Sequence, residues 1–511
     1  MKRATSYEEY LAAIESIKKQ DKTTWFSAGE KALTADEQKL DSYMKKKRDA
    51  LLGEKKYIYD AYSPALMFHK AKTDIMNNDL FDIFKRMPQG GNLHIHTGAA
   101  WNTEKFTEML ASNPNVYVYW DPDNAFQRTI PDGKLFLFST RPDNPHCYNY
   151  QQIARLNSKI FIESKKRLTF IDPRVDDIEY IWGGFNDYFT SISSILKVRS
   201  IYKDYYVAAF KYQYQNGNDY IEIRAGISAL KENNDDEQPR NDELTGTPAK
   251  PMIYSATPPE CLTLLKEAYL TAKREGCPDL KVKAIVAPSR RTSQNFDEDI
   301  TNAIAILKQT PAWQQALKDD DGSEFIVGFD LVSEEDINHK TDDYAKEIIK
   351  ANSKVDFFFH DGESNWVDND NIHSAWALGT RRIGHGINLY NFPTLLKKIR
   401  EEDICLEICP ISNQMLRYTK DLRIHPVAQF MQQGVQCAIC SDDPQIFETA
   451  GIYYDLWEVY HGAMIDLRDI KKLIKNSYIY SAMSPREKAV KLAAWEVKWQ
   501  KYIRDMQPLI K

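Results

Sequence analysis

Eight short apolar runs recur between residues 92 and 443, and most are separated by stretches with helical spacing. They are NLHIH (92–96), DYIEIRA (219–225), VKAIVAP (282–288), FIVGFDLV (325–332), VDFFFH (355–360), RIGHG (382–386), ICLEICP (404–410) and QCAICSDD (436–443). Most are continuously apolar rather than alternating, the pattern of parallel strands covered on both faces. Between them lie segments such as PPECLTLLKEAYLTAKREG and DDYAKEIIKANS, whose apolar residues repeat with a helical period. Eight strands alternating with helices predict a (β/α)₈ barrel of the TIM type.

Two segments do not fit the repeat. Residues 1–88 read as a helical arm: YEEYLAAIESI and KLDSYMKKKRDALLG carry amphipathic spacing, and SPALMFHKAKTDIMNNDLFDIFKRMP runs from Ser-Pro to Pro88. Such an arm either packs on the main domain or joins two copies of the chain; a homodimer through it is the expectation. The barrel domain then covers 89–511. More than a hundred residues separate the first two strands, too many for a loop, so an insertion over 103–168 is expected on the catalytic face. Its DPDN and PDG turns, flanked by β-like runs, suggest hairpins.

Composition narrows the function. A net charge of -6 argues against a protein that tracks phosphate backbones, so no nucleic-acid partner is expected. No run reaches membrane-spanning length, and the basic start MKR lacks an apolar signal core, so a soluble, cytoplasmic chain is expected, or a secreted one had a leader been removed. The chain has seven cysteines, an odd number that cannot pair completely. Cys405, Cys409, Cys437 and Cys440 lie in apolar runs without the glycine turns of a zinc knuckle, and read as buried hydrophobes.

The chemistry concentrates at strand ends, where such barrels build their sites. Of ten histidines, His94, His96, His360 and His385 fall there. His-x-His on a strand sends both rings to one face. Joined by His360, His385 and the Asp442–Asp443 pair, they offer three histidines and a carboxylate, a donor set suited to Zn²⁺ with one position open. An ion held this way lowers the pKa of a bound water to about 7. Glu363, three residues past His360, is placed to give a proton.

MPQGGNLHIH, EIRA, GFDLVSEED, HDGES-W, TRRIGHG, EICPISNQ, DLRIHPV and SDDPQIF stand in the order and spacing of the adenosine deaminase growth factors, which the chain resembles from about Ser63 to about Tyr502. The resemblance implies a zinc-dependent hydrolase that attacks a cyclic amidine C–N bond, converting adenosine or a related 6-aminopurine nucleoside to the 6-oxopurine and ammonia. It implies that His94, His96, His360 and Asp442 hold one Zn²⁺ and that Glu363 protonates the purine N1. His385 would orient and deprotonate the attacking water, and Asp443 would hydrogen-bond N7. Trp182 matches an aromatic of the nucleoside pocket, and the family's members dimerise through the arm.

The chain departs from the family at several places. Thr97 and Gly98 stand where an aspartate binds the ribose hydroxyls, Ser333 replaces a glycine beside the purine edge, and Asp361 replaces a small residue. Cys147 is alone in the insertion, so the disulfide of secreted animal members cannot form within it. These departures keep other readings open: a deaminase of a free base, modified base or nucleotide, a non-enzymatic binding homologue, or another amidohydrolase reaction.

Overall fold

The computed structural model describes residues 5–21, 26–27, 29–53, 62–121, 130–171, 176, 178–237, 239–240, 243–244, 254–290, 296–336, 340–351, 354–364 and 368–510. Eight strands form its centre: β1 (Gly90–His96), β2 (Asn218–Ala225), β3 (Lys281–Val286), β4 (Ile326–Phe329), β5 (His360–Asp361), β6 (Arg382–His385), β7 (Cys405–Ile408) and β8 (Cys437–Ile439). They pair in parallel as β1-β2-β3-β4 and β5-β6-β7-β8. Two further parallel bridges, Phe329 with Phe357 and Ile95 with Asp442, join these halves into a closed ring. The β8–β1 seam is a backbone exchange: Asp442 N–H donates to His94 O at 3.0 Å and His96 N–H to Asp442 O at 3.3 Å. Every strand is buried along its length except for the half-buried His96 at the end of β1, as continuous apolar runs require. All eight expected strands are present, and the fold is the (β/α)₈ barrel.

Closing a ring removes exposed edges but leaves an interior to fill. Beneath the catalytic end it is filled by charge. Arg382 pairs with Glu222 and, at 2.6 Å, with Glu407; Arg224 pairs with Glu407 and, at 3.2 Å, with Asp330. All five side chains are at most 1% exposed. Buried charges are tolerated only when paired in this manner.

The arm contributes α1 (Tyr7–Asp21), α2 (Ala35–Leu52), α3 (Phe68–Met76) and α4 (Asp79–Arg86). A Thr34/Glu37 capping box starts α2, and Glu37 also accepts from Lys471 Nζ at 2.9 Å and Trp499 Nε1 at 2.7 Å. Arg48 donates to the carbonyls of Tyr460 and Ile465 at 3.0 and 2.7 Å. Phe81 and Phe84 pack edge-on against Trp457 of α6 (Tyr453–Gly462), a helix buried at every position. Residues from α2 to α4 thus cover the chain's own barrel. α1 has no buried residue and presents Tyr7, Tyr10, Leu11 and Ile17 to solvent.

Between β1 and β2, strands Val116–Tyr119, Leu135–Leu137 and Cys147–Asn149 form an antiparallel sheet, and helix α5 (Ile181–Ile192) follows. The PDG residues lead into the second strand of the first hairpin, where Gly133 N–H donates to Tyr119 O at 2.9 Å; most of the DPDN turn lies outside the described residues. Asn234, on the segment after β2, exchanges bonds with the backbone of Leu137 at 2.7 and 2.8 Å and donates to Ser194 O at 3.0 Å. Those bonds fix the inserted sheet over the C-terminal mouth of the barrel. All seven cysteines are buried and free.

Candidate active site

The strand ends bring together the residues singled out by the sequence. His94 Nε2 lies 3.3 Å from His96 Nε2, which lies 3.2 Å from His360 Nε2. Asp442 Oδ1 is 3.3 and 3.0 Å from the Nε2 atoms of His94 and His96. That oxygen is buried and receives no hydrogen bond. Gly384 permits the approach, because a Cβ there would stand 3.1 Å from His94 Cε1 and 3.2 Å from the Cα of His360.

Carboxylates beneath set the tautomers. Glu407 lies 2.8 Å from His94 Nδ1 and Asp330 2.6 Å from His360 Nδ1. Each takes the Nδ1 proton, so each Nε2 turns a lone pair to the common centre. Burial, then the neighbouring imidazoles, hold His360 well below the ordinary histidine pKa, so the ring is neutral. Lone pairs and a carboxylate oxygen facing one another within 4.8 Å repel unless a cation lies between them. The donor set therefore fits a small divalent cation.

Glu363 and His385 stand beside this centre, with 3.6 Å between Glu363 Oε1 and His385 Nε2. Burial first, then Asp442 and Glu335, push the Glu363 carboxyl well above its usual range, which favours its protonated form. Asp443 is raised too, by burial and then by Asp442. Gly362, at φ +74°, turns the loop before Glu363, and a Cβ there would meet Asn388 Oδ1 at 2.4 Å. Glu335 braces that loop, accepting from the backbone N–H of Gly362, Glu363 and Ser364 at 3.1, 2.6 and 3.2 Å.

A relay fixes the state of His385. Val427 N–H donates to His425 Nδ1 at 3.1 Å, so His425 carries its proton on Nε2. That nitrogen lies 3.2 Å from Asn413 Oδ1, which leaves the Asn413 amide N–H to donate to His385 Nδ1 at 3.2 Å. His385 therefore presents Nε2–H to the site. Burial depresses its pKa to about 3. His385 and Asp442 both adopt left-handed backbone, at φ +60° and +56°, a strain that clusters at functional positions.

A cavity of about 920 Å³ opens from the donor cluster. His96, His360, Glu363, His385, Asp442 and Asp443 line it, as do Thr97, Trp182 and Ser333. Trp182 is held by a 2.7 Å bond from Nε1 to Tyr418 O–H. Thr97 Oγ1 accepts from Gly226 N–H at 3.2 Å, tying β1 to β2. Ser333 sits at φ +91°, a conformation glycine adopts freely, so this position retains a glycine's backbone. Asp361, where the resembled family has a small residue, meets Arg290 at 2.8 Å.

A profile of the adenosine deaminase family matches residues 174–494. The chain belongs to the adenosine deaminase family. Adenosine deaminase of Lutzomyia longipalpis is 30% identical over 84% of this chain and 80% of its own length. Human adenosine deaminase 2 is 27% identical over 87% of this chain and 84% of its own. Among solved structures, adenine deaminase from Arthrobacter aurescens superposes with a TM-score of 0.54 at 19% identity, covering 81% of this chain and 99% of that one. An amidohydrolase from a Burkholderia species with bound zinc gives 0.50 at 15% identity, covering 84% and 94%. At such identities the structures show the shared fold alone. Membership makes this chain a hydrolytic deaminase, and its strand ends carry the side chains that such chemistry requires.

The structure adds residues whose roles the sequence did not reveal: Glu407, Asp330 and Arg224 beneath the donors, Glu335 under the loop, and Asn413 behind His385. A signal was present. Glu407 interrupts a strand that is otherwise apolar, Glu222 and Arg224 stand among the apolar residues of β2, and a charge in a strand buried on both faces must have a partner.

Proposed function

We propose that the protein deaminates adenosine or a related 6-aminopurine nucleoside by zinc-dependent hydrolysis, releasing the 6-oxopurine and ammonia. The observation that carries this reading is the convergence of three imidazole Nε2 atoms and the Asp442 carboxylate beside the buried carboxyl of Glu363. His94, His96, His360 and Asp442 would hold Zn²⁺, which suits this nitrogen and oxygen set and would supply Lewis acidity for a water. Glu363 gives its proton to ring N1, which makes C6 electrophilic. Asp443, kept protonated by burial, donates to N7. His385 orients the attacking water through Nε2–H; as the water oxygen bonds C6, one of its protons passes to the amino group, which leaves as ammonia when the C6–N bond breaks, and the other returns to Glu363. Trp182 and Phe185 supply apolar surface for the base, and Thr97 and Ser333 border it.

Ammonia release from adenosine, 2′- and 5′-deoxyadenosine, adenine and AMP, with and without a zinc chelator, tests the proposal. Chelator-sensitive release from the nucleosides is expected. Silence across the panel from a zinc-loaded protein would overturn the substrate assignment. The exposed apolar side chains of α1 support pairing of two copies through the arm, and light scattering of the intact protein should return a dimer mass; a monomer mass refutes it.

A further inference from the structure

The cavity is larger than its chemical end requires. Its volume lies near the top of the range of about 300–1,000 Å³ typical of small-molecule sites. The part away from the donor cluster carries three lysines, together with Asp236, Glu237, Glu298 and Asp299. Lys134 leads into the Leu135–Leu137 strand of the inserted sheet, Lys197 follows α5, and Lys231 lies beyond β2; all three line the cavity. They are held together by backbone: Lys231 N–H donates to Lys197 O at 2.9 Å, and Arg199 N–H returns to Lys231 O at 2.8 Å.

Lys231 pairs with Asp236 at 3.0 Å and with Glu237. Lys134 and Lys197 form no ion pair among the described residues. Lys134 is 7% exposed, and its ammonium lies 5.8 Å from the ring centre of Phe136. Burial holds it below the usual lysine range; Glu237 opposes that shift, while Lys197 and Lys231 add to it. Asp236 and Glu237 are engaged by Lys231, and Glu298 and Asp299 line the cavity elsewhere, so Lys134 and Lys197 face it without a carboxylate of their own among the described residues. A desolvated ammonium without a direct partner is costly, and two such groups in a concavity attract an anion.

The lysine wall adjoins the donor cluster. A Cβ at Gly98, two residues past His96, would stand 3.5 Å from Leu196 Cδ1, and Leu196 precedes Lys197. Thr97 touches Gly226, five residues before Lys231. A ligand with its base at Glu363 would direct its other end toward these lysines.

We propose that Lys134 and Lys197, with Lys231, form an anion subsite that takes a phosphate carried by the sugar of a 6-aminopurine nucleoside. The preferred substrate is then a nucleoside monophosphate. This deepens the deaminase reading and rests on it for the reaction, though not for the binding of phosphate.

The test compares kcat/KM for adenosine with that for adenosine 5′-phosphate and 3′-phosphate, in the zinc-loaded wild type and in Lys134→Met and Lys197→Met. Methionine keeps the apolar stem and removes the charge. Calorimetric titration with inorganic phosphate runs in parallel. One phosphate ester is expected to exceed adenosine by about tenfold or more, and each substitution should reduce that ratio by about tenfold. Phosphate should bind the wild type and bind each variant about tenfold more weakly. Equal or lower activity on both esters, with ratios untouched by either substitution, overturns the subsite. So does phosphate that binds wild type and variants alike. If no purine is turned over while phosphate binding weakens in the variants, the deaminase reading fails and the subsite stands.

Discussion

Glu335 offers the sharpest test of how the site is held. Its Oε1 accepts from the N–H groups of Glu363 and Ser364, and its Oε2 from Gly362 N–H and, at 3.0 Å, from Asn371 Nδ2. The side chain is 3% exposed. Glu335→Gln keeps the shape but turns one oxygen into an NH₂ group that faces two donors. Two buried donors then lose their acceptor at about 1–3 kcal/mol each, or about 2–6 kcal/mol if nothing moves. Movement is the alternative, and the segment free to move is the one that carries Glu363. A displacement of roughly 1 Å at a reacting group lowers turnover by about a hundredfold. Urea unfolding and steady-state ammonia release should therefore show a lower midpoint and a kcat reduced by about a hundredfold, with KM little altered. A variant with the wild-type midpoint and a kcat within about threefold of wild type would refute the bracing argument.

Other perturbations test separate parts of the structure. Glu363→Gln should abolish turnover and leave bound zinc, read by atomic absorption, nearly unchanged; lost metal or retained activity counts against Glu363 as the acid. Ser333→Gly should raise the unfolding free energy by about 1 kcal/mol, because the native φ of +91° is strained for serine; an unchanged or lower value removes that reading. Glu458 is fully buried against Ser63 Oγ at 3.2 Å, and burial raises its pKa to about 8. Its folded pKa exceeds the unfolded one, so it costs stability progressively as pH rises from about 4.5 to 8 and by a constant amount above. Glu458→Gln should thus stabilise the protein by on the order of 5 kcal/mol at pH 9 and by only about 1 kcal/mol at pH 5. Equal Tm shifts at both pH values would show that its ionisation is not involved.

The barrel was legible because its strands are covered on both faces. Runs such as VKAIVAP and ICLEICP announce themselves without alternation; the first covers all but the opening residue of Lys281–Val286, and the second contains Cys405–Ile408. The donors were legible because His94 and His96 share a face by strand periodicity alone. What joins separate strands was not. Glu407 meets His94 across 313 residues, and Asn413 reaches His385 only because the helix after β7 folds back over β6. The lysine wall escaped notice for the same reason. Lys134, Lys197 and Lys231 lie on three segments without shared periodicity, and only the Asn234 bonds bring those segments together. The arm read as helical, but its spacing could not say which apolar face meets α6 and which meets solvent.

The β8–β1 seam has a consequence for how the enzyme is made. Asp442 is both a proposed metal donor and the residue whose backbone closes the ring onto His94 and His96. Roughly 350 residues separate the two sides of that seam, and a ribosome adding about 5–20 residues per second delivers them about 20–70 s apart. Through that interval the His-x-His pair is already synthesised and has no carboxylate to complete it. A nascent chain can thus collect metal only loosely, and tight loading waits until the last strand is in place. Ring closure and metal capture become one event, and a chain stalled before residue 442 has neither.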